Sequence, residues 1–171
     1  MKVLAVIAIL IIGTAMACKR PAAAVFPTDR SIPPDLEIRL ARTQCYGRCP
    51  AYELTVRADG SVTFKGTAHT QETEASGRID ENKVRRLIDE FRQANYFDFD
   101  DEYSFNNCPS ASTDMSTVTT SIRLNGKSKT ISHYLGCSTR DSDHKPFPPG
   151  LSELEKEIDE IVGSRRWIGQ K

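Results

Sequence analysis

The chain carries no surplus of charge. Its 23 basic and 23 acidic residues cancel, which speaks against a general nucleic-acid binder, because such a protein needs a basic face to meet phosphates. There is one tryptophan and there are three histidines, and His69, His133 and His144 are too scattered to read as a ligand cluster. The one long apolar run, Val3 to Ile12, is too short for a stop-transfer helix. Phosphate loops, dinucleotide fingerprints, a His-Glu-x-x-His motif and a Gly-x-Ser-x-Gly elbow are all missing. Nothing in the sequence therefore raises the case for an enzyme, and no cofactor is expected. Internal repeats are absent as well.

What is present begins with an address. Lys2, the apolar run and the small residues Gly13 to Ala17 form a signal-peptide pattern over residues 1–17. Cys18 follows directly and resembles the bacterial lipoprotein signal, in which that cysteine is lipidated; Ala15 stands where a leucine is usual. The expectation is an exported protein of the bacterial cell envelope. It would be lipid-anchored and either periplasm-facing or surface-exposed, with the membrane as one partner through the N-terminal lipid. Residues 18–35 include Pro21, Pro27, Pro33 and Pro34 and read as a tether with a reach of roughly 50 Å. Residues 36–168 are the right size for one domain, and 169–171 make a short tail.

Five cysteines are few. Setting Cys18 aside leaves Cys45, Cys49, Cys108 and Cys137, an even set that in an exported domain reads as disulfides. Proximity favours Cys45–Cys49 and Cys108–Cys137, worth about 2 and about 3.5 kcal/mol by loop entropy.

Alternation of apolar and polar residues predicts strands at Leu36–Leu40, Tyr52–Val56 and Val62–Phe64. A polar edge strand is expected within Gly66–Gly77. Asp59-Gly60 and Asn125-Gly126 are hairpin signals, the second joining a strand around Val118–Leu124 to one over Lys127–Leu135. Asp80 is the expected N-cap of a helix that buries Val84, Leu87, Ile88 and Phe91, with Ile79 and Val84 as its staple. Tyr96, Phe97 and Phe99 are core anchors at its exit. A second helix starts near Leu151 and buries Leu154, Ile158, Ile161 and Val162. Gly163 stops it, and Trp167 with Ile168 folds back as a latch. The fold class is α+β: a β-meander, a helix, a hairpin and a C-terminal helix, with the helices on one face of the sheet.

Between the first two strands lies Arg42-Thr43-Gln44-Cys45-Tyr46-Gly47-Arg48-Cys49-Pro50-Ala51-Tyr52. With Asp59-Gly60 and Arg166-Trp167-Ile168, this stretch resembles a family of domains of unknown function, the one numbered 6438. The resemblance imports no activity and no catalytic residues. Arg42, Cys45, Tyr46, Gly47, Arg48, Cys49, Pro50 and Tyr52 form the candidate functional bend. Its glycine supplies a turn and its proline opens the next strand without a ladder donor, which a structural staple explains fully. Arg42 and Arg48 are candidate causes of a depressed thiol pKa, so a thiol–disulfide redox protein using Cys45 and Cys49 is the alternative. A Cys/His metal-binding protein, drawing on His133 or His144, is the third reading. His133 is in register with Ile131 and Leu135 and should be buried and hydrogen-bonded; His69 should be solvated. Asp98–Glu102 and Asp141–His144 are oxygen-rich but lack the glycine and terminal glutamate of an EF-hand, and read as solvated loops. The expected function is a non-catalytic binding module, meeting an envelope protein through the bend and the loops around Cys108 and Cys137.

Overall fold

The computed structural model describes residues 25–108, 110–138 and 147–169. The signal-peptide segment, Cys18 and the Asp141–His144 run lie outside them. A seven-stranded sheet has the order β4-β3-β2-β1-β7-β8-β5. Its long strands are β1 (Glu37–Arg42), β2 (Ala51–Arg57), β3 (Ser61–Ala68), β4 (Glu74–Arg78), β7 (Thr117–Leu124) and β8 (Lys127–Tyr134), all antiparallel to their neighbours. The two-residue β5 (Glu102–Tyr103) adds in parallel beside β8. Two further short strands, β6 (Ser110–Ala111) and β9 (Cys137–Ser138), pair with each other. Alternation sends Ile38, Leu40, Leu54, Val56, Phe64, Val118 and Ile122 to the buried face. Arg39, Glu53, Arg57, Thr63 and Lys65 stay exposed on the other.

The helices cover the buried face. α1 (Glu81–Gln93) starts where Asp80 accepts the Lys83 N–H at 2.9 Å, and it buries Val84, Leu87, Ile88 and Phe91. At its exit Tyr96 is fully buried and donates to the Thr120 carbonyl at 2.8 Å, while Phe97 and Phe99 are only partly buried. α2 (Pro149–Val162) ends at Gly163, whose φ of 71° is the left-handed stop. The one-turn α3 (Arg165–Ile168) then brings Trp167 onto Phe64, with ring centroids 5.3 Å apart. The carbonyls of Trp167 and Ile168 accept from Glu72 and Gln71 N–H. The expected latch is thus tied to the β3–β4 turn.

Residues 25–35, read above as tether, lie along the domain. Phe26 packs on Phe97 (centroids 5.6 Å), Arg92 donates to the Pro27 carbonyl, and Arg85 donates to that of Arg30. Asn125 donates to the Val25 carbonyl at 3.0 Å. The Asp35 carboxylate receives the Asn125 and Gly126 N–H groups at 2.9 and 2.8 Å. The incoming chain is therefore fastened at the end of the sheet that holds the Asp59-Gly60 and Asn125-Gly126 turns. Running β1 from Glu37 to Arg42 carries it roughly 20 Å to the opposite end, where the cysteine bend sits.

Candidate functional site

Arg42 ends β1 and Tyr52 is the second residue of β2, and the two are direct cross-strand partners. Their side chains share the buried face, and both turn to Asp159 of α2. Arg42 donates to Asp159 Oδ2 from Nη2 (3.0 Å) and Nε (3.2 Å), to Tyr52 Oη from Nε (3.0 Å), and to the Glu155 carbonyl from Nη2 (3.1 Å). The Tyr52 hydroxyl donates toward the Asp159 carboxylate at 2.7 and 2.8 Å, and the Ser164 hydroxyl donates to Oδ1 at 2.5 Å. Burial together with the Asp159 charge pushes the Tyr52 pKa well above the usual tyrosine value. Burial works against the Arg42 charge, but Asp159 and Tyr52 together more than offset it and the pKa ends above normal. Two residues of the bend stretch thus clamp the C-terminal helix.

The rest of the bend projects outward. Cys45 and Cys49 are joined, as are Cys108 and Cys137, each with Cα atoms 5.6 Å apart. Both pairings are those favoured by proximity. Gly47 has φ 150°, a conformation that side-chain-bearing residues rarely adopt. Tyr46 is 90 % exposed, and Arg48 is exposed beside it. After Cys49 the chain passes through Pro50 into a strand, so no helix N-terminus lies there to lower a thiol pKa.

The bend is fastened to the loop carrying the second disulfide. Tyr46 N–H donates to the Asp114 carbonyl at 2.8 Å, and Thr43 N–H to that of Thr117 at 3.0 Å. Met115 N–H donates to the Tyr134 hydroxyl, which donates onward to the Ser112 carbonyl at 2.6 Å. Phe105 packs edge-on against Tyr134, and Leu135 N–H donates to the Ser116 carbonyl. Gly136 admits this close approach: a Cβ there would stand 2.4 Å from the Ser112 carbonyl oxygen. The large apolar side chains left exposed among the described residues are Tyr46, Phe105, Met115 and Leu135. All four belong to this cross-linked end of the sheet.

Away from the bend, His133 Nδ1 lies 2.8 Å from Glu155 Oε1, and both side chains are almost wholly buried. Phe147 covers the imidazole, with centroids 4.2 Å apart. His133 is buried and hydrogen-bonded as its register implied. Glu155 and Asp159 were not legible as partners, although Glu155 sits four residues after Leu151 and three before Ile158, on the apolar stripe. An acid on that stripe is the signal. Of the Asp98–Glu102 run, Asp101 pairs with Lys129 at 2.8 Å. His69 is exposed at the β3–β4 turn. With both cysteine pairs oxidised, no thiolate remains among those four for a Cys/His metal set. Among the described residues no group of three His, Cys, Asp or Glu is placed to hold a metal ion.

A family model for a domain of unknown function, DUF6438, matches residues 36–162. The chain belongs to the DUF6438 family. No curated protein matches it. The match begins at the strand pair that carries the bend and ends with the last residue of α2, before Trp167. In this DUF6438 chain the arginine and tyrosine of the recognised stretch meet on a helix more than a hundred residues away in sequence. Among the described residues no helix is long and apolar enough to cross a membrane, and two disulfides fit a non-reducing environment.

Proposed function

We propose that this protein is an exported, lipid-anchored and non-catalytic binding module of the cell envelope. Cys18 carries the lipid, and the cross-linked end of the sheet meets a protein partner. The observation that carries the reading is that the large apolar side chains left exposed among the described residues, Tyr46, Phe105, Met115 and Leu135, all belong to the cross-linked end. Exposed apolar groups concentrated in one region point to an interaction site, whereas those scattered singly over a surface need no explanation. Two disulfides and a web of backbone hydrogen bonds hold these groups in place before a partner arrives, which lowers the ordering cost of binding. The fastening of Val25 and Asp35 at the opposite end supports a display in which the patch points away from the membrane.

The test is co-purification from solubilised envelopes, comparing the wild type with the double variant Tyr46→Ser, Leu135→Ser. Both positions are exposed, so thermal stability should stay close to wild type. A protein retained by the wild type and lost by the double variant fits the proposal. Partners retained equally by both contradict it.

One observation favours the thiol–disulfide reading: Cys45 and Cys49 are both partly exposed beside Arg48. That reading requires the bend disulfide to exchange with a small thiol in the folded protein well before Cys108–Cys137 does. Equal resistance of the two bonds removes it.

A further inference from the structure

The cross-linked end also holds a cleft of about 1060 Å³ whose walls include Arg42, Arg48, His69, Gln71, Leu135 and Ile168. Two arginines are among its lining residues, and among the described residues no aspartate or glutamate is. Asp159, the acid that pairs with Arg42, opens instead onto a neighbouring cavity of about 940 Å³ beside Gly163 and Arg165. Arg42 spends Nε and Nη2 on Asp159, Tyr52 and the Glu155 carbonyl, and its Nη1 has no hydrogen-bond partner among the described residues. Its guanidinium is therefore held rigid with only the Nη1 hydrogens unspent. Arg48, exposed at the rim of the bend, is free to close on a ligand from the side.

That combination fits a planar anion. A guanidinium fork matches a carboxylate in two parallel hydrogen bonds, which Arg48 can offer, and the pre-positioned Nη1 of Arg42 adds a further charge-assisted bond at little cost in freedom. The remaining wall is mixed. Leu135, Ile168 and Pro50 are apolar, while Gln71, Thr70 and Ser116 offer carboxamide and hydroxyl groups suited to peptide amides. We propose that the cleft takes the C-terminal carboxylate of a peptide chain, with Arg42 and Arg48 on the carboxylate and Leu135 against the adjoining side chains. A plain alkyl acid would leave the carboxamide and hydroxyl groups unanswered. A phosphate, with more charge and more acceptor oxygens than two arginines satisfy, fits less well. The inference rests on the binding-module reading and names the chemistry of the partner's end.

The experiment is a titration of the full, disulfide-bonded chain followed by amide NMR shifts. The probes are N-acetyl-trialanine as the free acid, the same tripeptide as its C-terminal amide, hexanoate and inorganic phosphate. The free acid should shift the amides of Arg48, Gln71 and Leu135 at low-millimolar concentration, with the C-terminal amide at least about tenfold weaker, the equivalent of one charge-assisted hydrogen bond. Arg48→Ala should weaken the free acid about tenfold, and Arg48→Lys should restore only part of that, since an ammonium has no fork. Arg48 is exposed, so neither variant threatens the fold. Equal binding of acid and amide overturns the proposal. So does hexanoate or phosphate binding where the tripeptide does not, or an absence of shifts at these residues. Loss of envelope partners in the Tyr46→Ser, Leu135→Ser variant together with indifference to the carboxylate would leave the patch reading standing and remove this one.

Discussion

The two ends of the sheet close their strands with opposite chemistry. At the attachment end the connections are two-residue turns, Asp59-Gly60 and Asn125-Gly126, and the incoming chain is fastened to the second through Asp35 and Val25, with Phe26 packed on Phe97. Nothing large and apolar is left exposed there among the described residues. At the far end the chain runs through a disulfide bend and a long loop, and four large apolar side chains face solvent. The first end relies on short-range backbone geometry. The second needs covalent cross-links and a buried ion pair, because its loops have little periodic structure of their own. Such constraints fall where apolar groups are exposed, as the proposed binding surface requires.

The difference should show first in what each end contributes to stability. Asp159→Ala removes the acid on which Arg42, Tyr52 and Ser164 converge and leaves a mostly buried guanidinium unpaired. Urea unfolding should report a loss of about 2–4 kcal/mol, below the full value for a buried pair because both side chains keep about a fifth of their surface. A loss under about 1 kcal/mol would mean that the clamp does not hold the C-terminal helix. Replacing Cys108 and Cys137 together by serine should cost about 3.5 kcal/mol, and the same change at Cys45 and Cys49 about 2 kcal/mol, before any native-state strain is counted. The order of the two is the sharper readout. At the attachment end Phe26→Ala removes a half-buried ring and should cost only about 1–2 kcal/mol. A larger loss there would erase the contrast between the ends.

Titration separates them further. Tyr52 has a folded-state pKa raised above the ordinary 10.0. Its contribution is complete below that value and is lost as pH rises beyond it. Tyr52→Phe should therefore flatten the alkaline limb of the stability curve, leaving the shares due to Tyr96 and Tyr103, each raised by its own burial. Asp35 behaves in the reverse sense. The N–H of Gly126, ahead of that of Asn125, holds its pKa below the ordinary 3.8. Its stabilisation is present above that value and fades as pH falls through the lower, folded one. Asp35→Asn should flatten the acid limb, the smallest effect of the set, visible best as a pH-independent Gly126 amide shift.

Most of the scaffold was legible in the sequence because its elements are long enough to show a period. β1, β2, β3, β7, β8, the Asp80 cap and the apolar stripe of α2 all announced themselves that way. β5, β6 and β9 did not, since two residues carry no alternation; they are made by their neighbours, the latter pair by the Cys108–Cys137 cross-link. The bend was recognisable as a stretch, but its division of labour was not. Arg42 and Tyr52 look like Arg48 and Tyr46 in one dimension, and only the Arg42–Tyr52 register and the approach of Asp159 turn one pair inward and the other outward. Similarly, the segment after Val25 has the composition of a linker, and it is docked by Arg85 and Arg92 of α1 reaching for its carbonyls.

The most direct test of the account is site-specific photo-crosslinking in cells that make the protein. A photoreactive side chain would replace Tyr46 at the cross-linked end, and in a second variant Lys127, beside the Asn125-Gly126 turn at the attachment end. The account predicts a discrete protein adduct from position 46 that disappears when Leu135→Ser is added, and none from position 127. An adduct from position 127 alone, or one from position 46 that survives Leu135→Ser, would contradict it.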